Sequence, residues 1–139
     1  MKYLVDTNVL SEISKEAGCN NNVAEWYARV PRDDLCLSAL VIGEIRGGVE
    51  RLRARDLRRA IRFERWLVLV VDLFADRIVG IDRRIAERWG WLNARERLPA
   101  VDGLLAATAI IHKMVVVTRN ARDFARTGVP VLNPFEPSS

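Results

Sequence analysis

Apolar positions along the chain change their period repeatedly, and each change marks an element. Lys2 to Val5 is a short β-type run that stops at Asp6. From Thr7 to Lys15, Val9, Leu10 and Ile13 fall at helical spacing, with Thr7 placed to act as the N-cap. Gly18 and the run Asn20-Asn21-Asn22 mark a loop, Asn22 can cap a second helix through Arg29, and Pro31 closes it. Leu35-Cys36-Leu37 is a compact strand, and Ser38 is positioned to cap a helix from Ala39 to about Leu52. Arg53 to Val71 reads as one long helix, Ile78 to Ile81 as a short strand, and Asp82 to about Leu98 as a further helix before Pro99.

The last third is the most apolar. Val101 to Lys113 carries Leu104, Leu105, Ala106, Ala107, Ala109, Ile110 and Ile111, so this helix is expected to be covered on most sides. Met114 to Val117 is a continuous apolar run of the kind found in parallel strands with both faces covered. Thr118 to Phe124 forms the turn after it, and Val129 to Leu132 is a final strand before Asn133-Pro134. Strands alternating with helices imply an α/β fold, a three-layer α/β/α sandwich with a mainly parallel sheet. The 139 residues, half of them hydrophobic, suit one core, with no repeat or linker.

In such sheets ligands bind beyond the carboxyl ends of the strands, and that rule selects residues. Asp6 directly follows the first strand; Thr118, Asn120 and Asp123 follow the strand ending at Val117. Glu44 lies inside the helix after the second strand, between Gly43 and Ile45. Asp102 opens the most apolar helix, between Val101 and Gly103. Each acid alone has an ordinary explanation as a cap or a surface charge. Four together, at strand ends and on apolar helices, suggest a shared site. Carboxylates gathered within a few ångströms repel unless a cation joins them. With oxygen donors only, that cation is Mg²⁺ or Mn²⁺ rather than zinc.

Composition narrows the partners. Net charge is +4, and of 22 basic residues only three are lysines. Arginine's planar fork matches phosphate, so a polyanionic partner is compatible with the composition, as is a merely solvated basic surface. Cys19 and Cys36 lack C-x-x-C spacing and read as reduced, buried thiols. The single histidine, His112, excludes a two-histidine metal site and is expected at a helix C-terminus beside Lys113. The N-terminal apolar run is too short for a signal peptide. The longest apolar run, Trp66 to Val71, falls far short of the roughly 20 residues that cross a bilayer. A soluble, cytoplasmic protein without a membrane partner is expected.

Four motifs and a short C-terminal segment carry a family resemblance, in order along nearly the whole chain. Leu4-Val5-Asp6-Thr7-Asn8-Val9-Leu10-Ser11-Glu12 resembles the opening motif of PIN-domain nucleases, specifically the VapC and FitB-like toxins of bacterial toxin–antitoxin pairs. Leu37 to Gly48, Val101 to Ala109 and Val117 to Phe124 are similar to the later motifs, and Leu132-Asn133-Pro134-Phe135 is FitB-like. The resemblance implies a single PIN-like domain over 1–139 and a divalent-metal endoribonuclease acting by metal-activated water. Asp6, Glu44, Asp102 and Asp123 would form the acidic metal site, Asn8 would support Asp6, and Thr118 would stand beside the metal or its water. The fourth acidic place is shared between Asp123 and Asn120, which would be a neutral or outer ligand. It also implies a homodimer and a cognate VapB-like antitoxin, whose tail can place a basic side chain among the acids. DNA would be reached only through the antitoxin complex. The other reading is a non-catalytic PIN-fold binding module acting with a DNA-binding partner in operon repression. A phosphatase of the haloacid-dehalogenase type needs Asp-x-Asp-x-Thr, and Asp6-Thr7-Asn8 lacks the second aspartate.

Three further features keep two readings each. Arg51, Arg55, Arg58, Arg62 and Arg65 would form one stripe if helical, as an RNA-facing ridge or a solvated face partly paired with Asp56 and Glu64. Trp26, Trp66, Trp89 and Trp91 could stack on bases or pack in a core or dimer interface. Arg46 could orient a carboxylate by a bidentate pair or point outward.

Overall fold

A computed structural model describes residues 1–137. Five strands form one parallel sheet: β1 (Tyr3–Val5), β2 (Leu35–Ser38), β3 (Ile78–Val79), β4 (Val115–Val117) and β5 (Val131–Leu132), in the order β3-β2-β1-β4-β5. Register is set by Leu4 opposite Cys36 on one side and Val116 on the other. The central strands are covered on both faces, with Leu4, Val5, Leu35, Leu37, Val116 and Val117 all buried.

The helices are α1 (Thr7–Ile13), α2 (Asn21–Arg29), α3 (Ala39–Arg53), α4 (Leu57–Leu73), α5 (Arg83–Arg95), α6 (Ala100–His112) and α7 (Ala121–Ala125). Right-handed crossovers assign α1–α4 to one face of the sheet and α5–α7 to the other. Helix contacts divide the same way: α1 meets α2 and α3, α3 meets α4, and α5 meets α6 separately. The expected three-layer architecture is therefore present. Strand order moves outward through β1, β2 and β3, then reverses across β1 to β4 and β5. The reversal opens a crevice between the carboxyl ends of β1 and β4, where doubly wound sheets bind ligands.

Several element ends differ from the sequence expectation, three of them for a capping reason. The side chain of Asp6, not Thr7, caps α1 by accepting from the Thr7 N–H. Asn20, not Asn22, caps α2, accepting from the N–H groups of Asn22 and Val23. The long helix expected from Arg53 is two elements. Asp56 accepts from the Arg59 N–H and starts α4 afresh at Leu57, a competition that short acidic side chains win at helix ends. α5 stops at Arg95 because Glu96 is extended and Leu98 precedes a proline, which disfavours the helical region. β3 stops at Val79, and the turn after β4 contains α7. Ser38 caps α3 as expected, and His112 is the last residue of α6.

The cysteines are free, Cys36 buried in β2 and Cys19 half-buried. The tryptophans differ from one another. Trp26 is buried edge-on to Tyr3, Trp66 stacks on Phe63, Trp89 is partly buried, and Trp91 is exposed. Among the described residues no helix is long and apolar enough to cross a membrane.

Candidate metal centre

The centre starts where β1 ends. The Asp6 N–H donates to the Val117 carbonyl at 2.9 Å, which joins the ends of β1 and β4 and fixes the carboxylate at the crevice. Asp6 is only 5% exposed, and both its oxygens are held. Oδ1 accepts from the Thr7 N–H at 2.7 Å; Oδ2 accepts from the Thr118 hydroxyl at 2.8 Å and the Asn8 amide at 3.4 Å. Burial raises the Asp6 pKa, the Thr118 and Thr7 donors oppose this, and the Glu44 charge adds to the rise.

Around Asp6 the two strand ends are laced together. Thr118 is fully buried, and its hydroxyl oxygen also accepts from the Asn120 N–H at 3.0 Å. Asn8 accepts from the Arg119 N–H at 3.1 Å, so it locks the turn after β4 while touching Asp6. Glu44 stands on an exposed turn of α3, and its Oε1 accepts from the Thr7 hydroxyl at 2.6 Å. This bond brings α3 to the start of α1. Sequence pattern assigns Thr7 only a capping role, and the one signal for its bridging hydroxyl is its place beside Asp6.

Asp102 lies half-buried in the first turn of α6. A helix N-terminus favours a carboxylate, yet the Asp102 pKa is pushed up to about 6. Burial is the largest cause, followed by the charges of Asp6, Glu44 and Asp123. Asp102 therefore lies within electrostatic reach of the other three acids named from sequence, and Asp6 within reach of Glu44. Asp123 is exposed in the first turn of α7. Asn120 sits at the N-cap of α7, where its side chain makes no capping bond.

Asp102 reaches this edge because α6 approaches α5 closely. A Cβ on Gly103 would stand 2.9 Å from Trp89 Cδ1 and 3.0 Å from Nε1, so only glycine admits the indole beside Asp102. Trp89 Nε1 is buried without a hydrogen-bond partner.

Other charged residues fall outside the cluster. Glu12, also in the first motif, is buried. It accepts from Lys15 Nζ and the Asn20 N–H, both at 2.9 Å, and these donors hold its pKa low. Arg46 pairs with Glu50 and Glu64 and so points away from Glu44. The arginine stripe is broken: Arg51 lies on α3, Arg55 in the turn, and Arg58, Arg62 and Arg65 on α4. Glu64 pairs with Arg46 and Arg53 rather than with any stripe member, and Asp56 serves as a cap.

The donor set is all oxygen, and its mutual repulsion is what a bound cation relieves, so a hard divalent ion fits the chemistry. Among the described residues, no three acid, thiol or imidazole groups are already drawn together as a finished ligand set. A cation here would have to pull the carboxylates inward.

Residues 3–130 match the PIN domain family profile. The chain belongs to the PIN domain family. Toxin FitB of Neisseria gonorrhoeae is 32% identical over 137 residues, covering 95% of this chain and 97% of FitB. The VapC ribonuclease Y4jK of Sinorhizobium fredii is 31% identical over 140 residues, covering 97% and 99%. The solved structure of FitAB bound to an IR36 DNA fragment contains a chain that superposes with a TM-score of 0.86. That chain is 32% identical, with 99% of this chain and 98% of that one covered. The PIN-domain resemblance drawn from four motifs and the parallel α/β architecture both hold.

Proposed function

We propose that this PIN-domain protein is the toxin of a type II toxin–antitoxin pair. In this reading it is an endoribonuclease that hydrolyses RNA phosphodiester bonds with Mg²⁺ or Mn²⁺ held by Asp6, Glu44, Asp102 and Asp123. The observation that carries the reading is a half-buried Asp102 beside the crevice between β1 and β4, whose pKa is raised to about 6 first by burial and then by the charges of Asp6, Glu44 and Asp123. Relatives named as a toxin and as a VapC ribonuclease support the same activity.

A divalent cation, when bound, lowers the pKa of water and offsets negative charge on the phosphodiester. The side chains supply the rest. Thr118 and Asn8 hold Asp6 Oδ2 in one orientation, and the Thr7 hydroxyl fixes Glu44 Oε1. Asp123 supplies the fourth charge, while Asn120 braces Thr118 through its backbone N–H and offers a neutral amide nearby. Water adds to phosphorus and the bond to the 3′ oxygen breaks, which leaves a 5′-phosphate and a 3′-hydroxyl.

The partner is a cognate VapB-like antitoxin, and DNA is contacted only through that complex, as the FitAB–DNA structure supports. The protein is a cytoplasmic homodimer of one PIN-like domain spanning 1–139. Asp6→Asn and Asp102→Asn should each abolish cleavage of RNA in Mg²⁺ or Mn²⁺ while the circular-dichroism spectrum stays that of the wild type. Undiminished cleavage by either variant refutes the assignment. Calorimetry that detects no Mg²⁺ or Mn²⁺ binding to EDTA-stripped protein favours the non-catalytic binding module instead.

A further inference from the structure

We propose that one stripe of α5, formed by Arg84, Arg88, Trp91 and Arg95, binds single-stranded RNA outside the acidic cluster. The inference rests on the RNA-cleaving reading above. The four residues are spaced i, i+4, i+7 and i+11, so they share one helix face. Ile85, Leu92 and Trp89 occupy the neighbouring face against α6, which leaves the stripe outward.

Trp91 is 48% exposed, the most exposed aromatic ring on the protein's described surface. The Arg95 guanidinium lies 3.7 Å from the ring centroid and is tethered by a bond from Nη1 to the Trp91 carbonyl at 2.9 Å. Arg88 stands 5.2 Å from the same centroid. Among the described residues, none of Arg84, Arg88 and Arg95 forms an ion pair, whereas Arg46 and Arg53 are neutralised by Glu50 and Glu64. Three arginines against Glu87, the acid that lines the same surface, leave net cationic charge beside an exposed indole, which suits phosphates and bases together. Bases stack on aromatic rings whatever their identity, and arginine adds both charge and a planar fork.

Placement gives the stripe a purpose. It extends ~16 Å along α5 by helical rise, with Ile111 of α6 beside its start. Its Arg95 end is joined to α6 by residues 96–99 alone, and Asp102 lies in the first turn of α6. A strand held along α5 is thereby led toward the acids.

The test measures anisotropy of a fluorescein-labelled single-stranded 12-nucleotide RNA with the full protein in EDTA, where binding is read without cleavage. Trp91→Ala should weaken binding about tenfold or more, with Trp91→Phe recovering part of the loss. Arg84→Ser, Arg88→Ser and Arg95→Ser combined should reduce the slope of log affinity against log salt by about two. With Mg²⁺ or Mn²⁺, the same variants should raise KM for long RNA at unchanged kcat. Wild-type affinity and salt slope in these variants overturn the proposal, as does a wild-type protein that binds no RNA. Dissociation of the dimer by Trp91→Ala with RNA affinity intact also overturns it and makes the stripe a protein interface. RNA binding through the stripe without cleavage in either metal would sink the nuclease reading and leave this one standing.

Discussion

Thr118→Val removes one hydroxyl from the centre while keeping the branched shape of the side chain. The lost group donates to Asp6 Oδ2 at 2.8 Å and accepts from the Asn120 N–H at 3.0 Å. Asn120 is exposed, so water replaces its lost acceptor; Asp6 is buried and keeps on Oδ2 only the longer 3.4 Å bond from the Asn8 amide. A hydrogen bond to a charged group contributes about 1.5–3 kcal/mol, so the variant should lose about 2 kcal/mol of stability at neutral pH without metal. The folded pKa of Asp6 already stands above its ordinary value, and removing Thr118 raises it further. A carboxylic acid with a raised folded pKa destabilises the fold once ionised, and that penalty disappears as pH falls through the folded value. The stability deficit of Thr118→Val should therefore be largest near pH 7.5 and shrink as Asp6 is protonated. Urea unfolding in EDTA across pH 4.5–7.5 reads this as a lowered midpoint at unchanged slope. A deficit below about 0.5 kcal/mol at pH 7.5, or one that is the same at both ends of the range, would falsify the Thr118–Asp6 argument.

Two more perturbations test the centre from other sides. Asp102 should titrate at about 6 in metal-free protein, read by carboxyl carbon NMR. Stability from this group should fall as pH rises through the window between its ordinary value and about 6, and Mg²⁺ affinity should rise over that window. Asp6→Asn or Glu44→Gln should lower the Asp102 value, and no change would show that the acids do not share a field. Gly103→Ala gains about 1 kcal/mol of helix propensity but places a Cβ 2.9 Å from Trp89 Cδ1. Overpacking costs about 1–3 kcal/mol, so thermal unfolding should show net destabilisation. In a Trp89→Ala background the same change should become stabilising; equal destabilisation in both backgrounds would remove the indole as the cause.

Much of the centre was legible because its logic is local. Asp6 and Thr118 end apolar strand runs, and carboxyl ends of parallel strands face one edge, so their meeting could be anticipated from period alone. Glu44 and Asp102 stood out as acids set in apolar helices. The capping errors have one origin: Thr7, Asn20 and Asn22 all suit a helix start, and only backbone geometry chooses among neighbours. The arginine stripe failed similarly, because Asp56 can sit in a helix or cap one, and here it caps α4.

By itself, the sequence determined the alternation of strand and helix, the oxygen-only donor chemistry imposed by a lone histidine, and the motifs of the PIN domain family. These follow from periodicity and residue type, which act over a few residues. Tertiary structure alone decided the reversal of strand order between β1 and β4, the bond from Thr7 to Glu44, and the rise of Asp102 through burial and then three distant charges. It also decided that Arg46 turns toward Glu64 while Trp91 stays open to solvent. Each depends on distances across the sheet and between helices, which register and packing set and which sequence spacing does not encode.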